Sequence, residues 1–208
     1  MLLQQHCPGE GHGVELLTYD GRPFAAFQHR RLHEVPLTGG ASSLRESVPL
    51  DPTLLELAER MLRELEWTGL AMVEFKVGGD GPRLMEVNGR VWGSLPLAVK
   101  SGMDFPARLA DLYLSGPPSG DSVDAKYSLG VRARNLELEI VWIGSVVSRG
   151  RRYPFLPTPG RREGLRAALG LFDPRITNDI LSLDDPRPGV AELGKIARKL
   201  SRKLRKGA

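Results

Sequence analysis

The chain has 208 residues, 41% of them hydrophobic and 26% charged, which is enough apolar content for a core in one large domain or two small ones. Its single cysteine, Cys7, excludes an internal disulfide, and the N-terminus carries neither a long apolar run nor a basic-then-apolar leader, so the default is a soluble cytoplasmic protein. The net charge of +4 is unevenly placed: residues 1–118 carry 11 Lys and Arg against 15 Asp and Glu, and residues 119–208 carry 18 against 10.

Met1 to His6 reads as a strand entered midway. Val14 to Tyr19 and Pro23 to Leu32 read as a hairpin through Asp20-Gly21, ending at His29-Arg30-Arg31. His6, His12, His29 and His33 have no metal-ligand spacing and are expected as polar strand or loop residues. Thr38 to Ser43 is a run of small residues. It is either a loop whose backbone can approach an anion or a plain surface loop. Asp51-Pro52 opens a helix, with Asp as N-cap and Pro in the first turn, and Leu54, Leu55, Ala58, Met61, Leu62 and Leu65 form its apolar stripe.

Next come two β-like runs, Leu70 to Val77 and Arg83 to Asn88, around the five-residue turn sequence Gly78 to Pro82. A loop symmetric about Asp80 sets Glu74 opposite Glu86, and Asn88, two residues on, shares their face. Val73, Phe75, Met85 and Val87 are left for a core. Two carboxylates directly opposite repel, and a hard cation removes that cost; Mg²⁺ takes one or two carboxylates plus substrate phosphates. Arg90 is near enough to hold a phosphate oxygen in fork geometry. The same residues also fit a solvated polar face with an accidental carboxylate pair.

Gly93-Ser94 opens a short helix, Leu95 to Lys100, whose amides can help an anion, and Asp104 to Leu114 is a capped helix. Gly116 to Gly120 reads as a linker that separates a domain at 1–118 from an extension at 119–208. In the extension a strand is expected at Tyr127 to Asn135 and a helix at Leu136 to Val147. A basic, Pro-rich loop containing Arg149 to Arg152 and Arg161-Arg162 follows. An amphipathic helix, Val190 to Lys206, closes the chain, with Leu193, Ile196, Ala197, Leu200 and Leu204 on one stripe. That tail fits either attachment to an anionic membrane or nucleic acid, or a helix docked by its stripe with a solvated basic face. The lack of Trp, Tyr or Phe favours docking, with no clear nucleic-acid or membrane partner.

The stretch LAMVEFKV, followed by PRLMEVNGRVWGSLPLAVKSGMDFP, resembles the metal-binding hairpin of ATP-grasp carboxylate–amine ligases, in the branch similar to the carbamoyl-phosphate synthase large subunit. The upstream run QQHCPGEGHGVELLTYDGRPFAAFQHRRLHEVPLTGGASSLRES resembles the segment that precedes that hairpin, and the likeness runs from about Gln4 to Pro118. It implies an α+β fold: an ATP-grasp C-terminal lobe, an antiparallel β-sheet flanked by helices, with a mixed basic C-terminal extension. It implies Mg²⁺, with Mn²⁺ as an alternative, on Glu74, Glu86 and Asn88, and Arg90 on the transferred phosphoryl group. It further implies ATP, with adenine on the main chain of Gln4, Gln5, His6 and Cys7, ribose on Glu10 with Glu15 second, and phosphates near Arg31.

In that family a small lobe with a Lys and a Gly-rich loop precedes the hinge, and this sequence begins at the hinge. The expectation is the ATP- and Mg-binding part of a ligase that activates a carboxylate as acyl-phosphate for capture by an amine, truncated at its N-terminus. The alternatives are a split enzyme with a partner chain supplying the other lobe, and a non-catalytic nucleotide- and metal-binding remnant. The identity of the carboxylate and amine is not legible.

Overall fold

A computed structural model describes residues 7–120, 122–148 and 158–206. Gln4, Gln5 and His6, and the basic run at 149–152, lie outside the described residues. The chain divides into two compact units, the first formed by 1–32 and 45–131, the second by 33–44 and 132–208. Its elements are β1 (Glu10–Tyr19), β2 (Arg22–Val35), β3 (Ala41–Ser47), α1 (Pro52–Glu64), β4 (Gly69–Gly78), β5 (Gly81–Asn88), α2 (Leu95–Lys100), α3 (Phe105–Ser115), β6 (Arg132–Arg134), α4 (Leu136–Ser148), α5 (Arg161–Gly170), β7 (Ile176–Asn178) and α6 (Pro186–Lys206). The strand order is β5-β4-β1-β2-β3-β6-β7. β1 pairs antiparallel with β2 and β4, β4 pairs antiparallel with β5, and β6 pairs parallel with β7. This is the expected α+β class, with a mostly antiparallel sheet and six helices among the described residues.

In the first unit, β1 and β2 turn through Asp20 and Gly21, both at positive φ (50° and 72°), which matches the twist a two-residue hairpin needs. Asp51 caps α1 by accepting from the N–H groups of Thr53 (2.8 Å) and Leu54 (3.3 Å). Leu54, Ala58 and Leu62 of α1 pack on Val14, Leu16, Ala26, Ala71, Val73 and Phe75 of the strands, forming the core of one sheet face. Leu65, expected in the stripe, is the C-cap and is exposed. Trp92 meets Phe105 edge-on, with centroids 6.2 Å apart, and α3 packs against β1 and β4.

The second hairpin differs from the sequence reading at its tip. The turn is two residues, Gly79-Asp80, between paired Gly78 and Gly81, so pairing near the tip is one residue off symmetry about Asp80. A bulge beside Glu74 absorbs the offset: Phe75 pairs with Leu84, Glu74 pairs with Glu86, and Met85 has no partner across the ladder. Met85 is therefore 53% exposed rather than in the core.

Other expectations need correction. The small-residue run ends sooner, because Ala41 to Ser43 already belong to β3. Only Arg132–Arg134 of the expected strand at 127–135 is β. Tyr127 instead packs its ring on Phe27 (4.6 Å) and donates its O–H to the Val48 carbonyl (2.7 Å), so a side chain anchors that stretch.

In the second unit, Arg161-Arg162 open helix α5 rather than sit in a loop, because the leucines behind them repeat at helical spacing. Buried Arg134 donates to the carbonyls of Gly170 and Leu171 (2.7 Å each) and to Asn178 Oδ1 (2.8 Å), which satisfies the C-terminal end of α5. Helix α6 starts at Pro186, four residues before the expected start. It docks through buried Glu192 and Ile196 and through Lys195 and Lys199, both paired with Glu137 of α4. Of the expected stripe, Ile196 is buried, whereas Leu193 and Ala197 are exposed. The side chains of Leu200 and Leu204 lie outside the described residues. Among the described residues no helix is long and apolar enough to cross a membrane.

Candidate functional site: a carboxylate pair bridged by an amide

The ladder of β4 and β5 sets Glu74 opposite Glu86 and Met72 opposite Asn88. The Asn88 amide donates to Glu74 Oε1 (3.1 Å) and to Glu86 Oε1 (2.7 Å). Both carboxylates thus converge on one nitrogen. Glu74 is only 7% exposed, whereas Glu86 is exposed. The guanidinium of Arg31 on β2 pairs with Glu74 Oε2. The reach from β2 to β4 crosses β1, and on that face of β1 positions 11 and 13 are glycine. A positive group and an amide N–H together offset the charge of the carboxylate pair, as a bound cation does.

The donor set fits a divalent cation. Two carboxylate oxygens and an amide oxygen are hard ligands, and the amide can present its carbonyl oxygen once it releases the carboxylates. Among the described residues no three His, Cys, Asp or Glu are grouped to hold a metal ion. A cation here needs further oxygens from a ligand, which is the habit of Mg²⁺ in phosphate sites.

The remaining predicted site residues that are described, Arg90, Glu10 and Cys7, are not brought into this cluster. Arg90 is exposed and donates to the carbonyl of Val91 (3.2 Å). Glu10, at the head of β1, is exposed, 3.9 Å from Arg30 and 3.8 Å from His12. Cys7 is half-buried. Arg30 pairs with Glu46 (2.7 Å). Glu15, the second ribose candidate, is fully buried.

Glu15 belongs to an interior polar layer that the sequence reading missed. It accepts from the Ser94 hydroxyl (3.1 Å), and His29 Nδ1 lies 3.1 Å from the same oxygen. Buried Arg45 donates to the Gly93 carbonyl (3.3 Å). These contacts tie the loop that follows Asn88 to β1 and β3. Gly13 admits the imidazole, since a Cβ there would come within 3.0 Å of His29 Nε2. The signal that finds this layer is alternation: Gly13 and Glu15, like His29 and Arg31, lie on the face that carries Glu74.

Burial holds the His29 pKa below its usual value, although Glu15 opposes the shift. A histidine kept neutral in the fold stabilises fully above its unfolded pKa of about 6.5 and loses that contribution as the pH falls below it. Wild-type stability is expected to fall between pH 7 and pH 5 by up to about 1.4 kcal/mol per pH unit from this group. His12, its pKa also lowered by burial, adds in the same direction. Thermal melts across that range should show a shallower pH slope for His29→Gln, and an unchanged slope would remove His29 from the account.

Backed by a largely buried arginine, the hairpin presents two opposed carboxylates and an amide, which are donor types suited to a divalent cation. Residues 1–137 match the sequence family described as "ATP-grasp in the biosynthetic pathway with Ter operon", and the chain belongs to that family. No curated protein matches the chain. Among solved structures, the chain is similar to the biotin carboxylase domain of 2-oxoglutarate carboxylase from Hydrogenobacter thermophilus, solved with MgADP, ADP and bicarbonate. There the identity is 14% and the TM-score 0.45, over 57% of this chain and 27% of that one. It is also similar to the ATPase subunit of phosphoribosylaminoimidazole carboxylase from Aquifex aeolicus, at 16% identity and a TM-score of 0.49, over 71% of this chain and 43% of that one. The chain therefore spans less than half the length of either, and family membership rests on the match over 1–137.

Proposed function

We propose that this chain is the ATP- and Mg²⁺-binding part of a ligase that activates a carboxylate as acyl-phosphate for capture by an amine, in the branch similar to the carbamoyl-phosphate synthase large subunit. The convergence of Glu74 and Glu86 on the Asn88 amide carries this reading. Those three residues would hold Mg²⁺ or Mn²⁺ through oxygen, with nucleotide phosphates completing the shell. Such an ion, when bound, neutralises phosphate charge and orients the group to be transferred.

The remaining roles fall to the protein. Arg31, already beside Glu74, is assigned to the phosphates, and exposed Arg90 to the transferred phosphoryl group. The main chain at Gln4, Gln5, His6 and Cys7 is assigned to adenine, and Glu10 to ribose. Glu15, Ser94 and Arg45 hold the loop that carries Arg90. Phosphoryl transfer of this kind asks for positioning and charge neutralisation and needs no side-chain nucleophile. The nucleotide and metal work is assigned to residues 1–118, with 119–208 as an extension.

The test is a Mn²⁺ titration of the 208-residue chain, followed by electron paramagnetic resonance, with and without ATP. Mn²⁺ is expected to bind weakly alone and at least about tenfold more tightly with ATP, because the phosphates supply missing ligands. A Mn²⁺ affinity that ATP leaves unchanged would overturn the reading.

A further inference from the structure

Helix α5 is packed inside out. Its buried residue is Gly164, where a Cβ would come within 2.9 Å of Val146 and 3.1 Å of Val147 on α4, so a small residue permits the close approach of the two helices. Ala167 and Ala168 are half-buried. The large apolar residues point the other way: Leu165 is 62% exposed, Leu169 68% and Phe172 86%. Phe172 follows the helix directly, its N–H bonded to the Leu169 carbonyl (3.1 Å), so it continues the same turn. A surface helix of a globular unit normally buries such residues.

The charges around this face are ordered. At about 100° per residue, Leu165, Leu169 and Phe172 share a sector roughly 60° wide, with Arg161 on one edge and Arg162 and Arg166 on the other. All three arginines are exposed, and Glu163 falls on the opposite side. Asp173 is engaged by Arg175 (2.9 Å). An apolar strip with cations on both flanks matches a helix lying in the headgroup region of an anionic bilayer, with apolar residues below and arginines at the phosphates. A protein groove would need an acidic rim on each side and a complementary shape, whereas a fluid anionic surface meets both flanks without a shape requirement. The excess of basic residues in 119–208 favours the same partner. The C-terminal helix, the other basic amphipathic segment, lacks an aromatic residue, whereas Phe172 lies just beyond the C-cap of α5.

We infer that the outer face of α5 is a docking surface for anionic phospholipid membranes, seated through Leu165, Leu169 and Phe172 and steered by Arg161, Arg162 and Arg166. This inference is independent of the metal site.

Flotation of the whole chain with phosphatidylcholine vesicles, with or without a third of phosphatidylserine, tests it. Binding is expected to the anionic vesicles only, weakening as salt is raised. Leu169→Ser and Phe172→Ser should each lower it about tenfold, and Arg166→Glu should lower it as well. Both apolar positions are exposed, so melting temperature and Mn²⁺–ATP binding should stay at wild-type values. Absence of vesicle binding, equal binding to neutral vesicles, or full binding by the serine variants would overturn the inference. So would a wild-type dimer that the serine variants convert to monomer, which would make this face a contact between copies, or a preference for nucleic acid over vesicles.

Discussion

Glu74→Ala and Glu86→Ala are expected to abolish metal-dependent nucleotide binding alike and to differ sharply in stability. Each removes one carboxylate of the pair that the Asn88 amide bridges. Losing a group that only orients a metal ligand costs about 10- to 100-fold in affinity, so losing a ligand should cost at least on the order of 100-fold. Stability separates the two because burial does. Glu74 is interior and pairs with Arg31, itself largely buried. Removing one partner of a largely buried ion pair is destabilising, by about 3 kcal/mol. At roughly 2–4 °C per kcal/mol for a chain of this size, Glu74→Ala should melt about 10 °C lower. Glu86 is exposed, and its loss should fall within about 0.5 kcal/mol of neutral. Paired melts and Mn²⁺–ATP titrations check both halves. Intact Mn²⁺–ATP binding by Glu86→Ala would remove the metal assignment. Equal melting temperatures for the two variants would remove the asymmetry of burial.

Asn88→Asp should reverse its effect on stability according to whether metal is present. In the metal-free protein the amide is a shared donor, and its loss removes the N–H bond to Glu74 Oε1 in a largely buried setting. The new carboxylate adds a third negative charge beside two others, so chelator-treated protein should lose about 2–4 kcal/mol. With Mn²⁺ the same carboxylate becomes a ligand, and the melting temperature should recover to the wild-type value or exceed it. Melts in chelator and in Mn²⁺ read both signs. If the substitution is neutral in chelator, the amide is not what holds the carboxylates together.

Much of this site was legible because strand geometry has a period of two. Once Glu74, Glu86 and Asn88 were set on one face, their convergence followed from register. The register came out right through two compensating departures, a shorter tip and a bulge at Met85. No residue type marks that bulge: Met is as welcome in a strand as in a core. The capped helices α1 and α3 were legible because Asp51 and Asp104 each precede a proline in the first turn and accept from backbone N–H groups. The buried layer of Glu15, His29 and Arg45 was not read, because charged residues seldom lie inside and only the meeting of β1, β2 and β3 makes partners of them. Helix α5 was hidden by its arginines and flanking prolines, and its outward leucines would have been assigned to a core. Arg90 stands on a loop, and no periodicity fixes where a loop side chain points.

The bulge at Met85 also bears on how the hairpin can change its turn. In a strand pair, one residue more or fewer at the turn normally swaps the two faces, and that would carry Glu86 and Asn88 to the side packed on α1. Here the strand has already taken up one such step between the tip and the carboxylate pair. In a hairpin of this same length, a three-residue turn over Gly79 to Gly81 would restore symmetry about Asp80, and the bulge would then no longer be required. The pairing of Glu74 with Glu86 is thus compatible with a two-residue turn plus a bulge or a three-residue turn without one, so the turn type can change without moving the carboxylates to the other face.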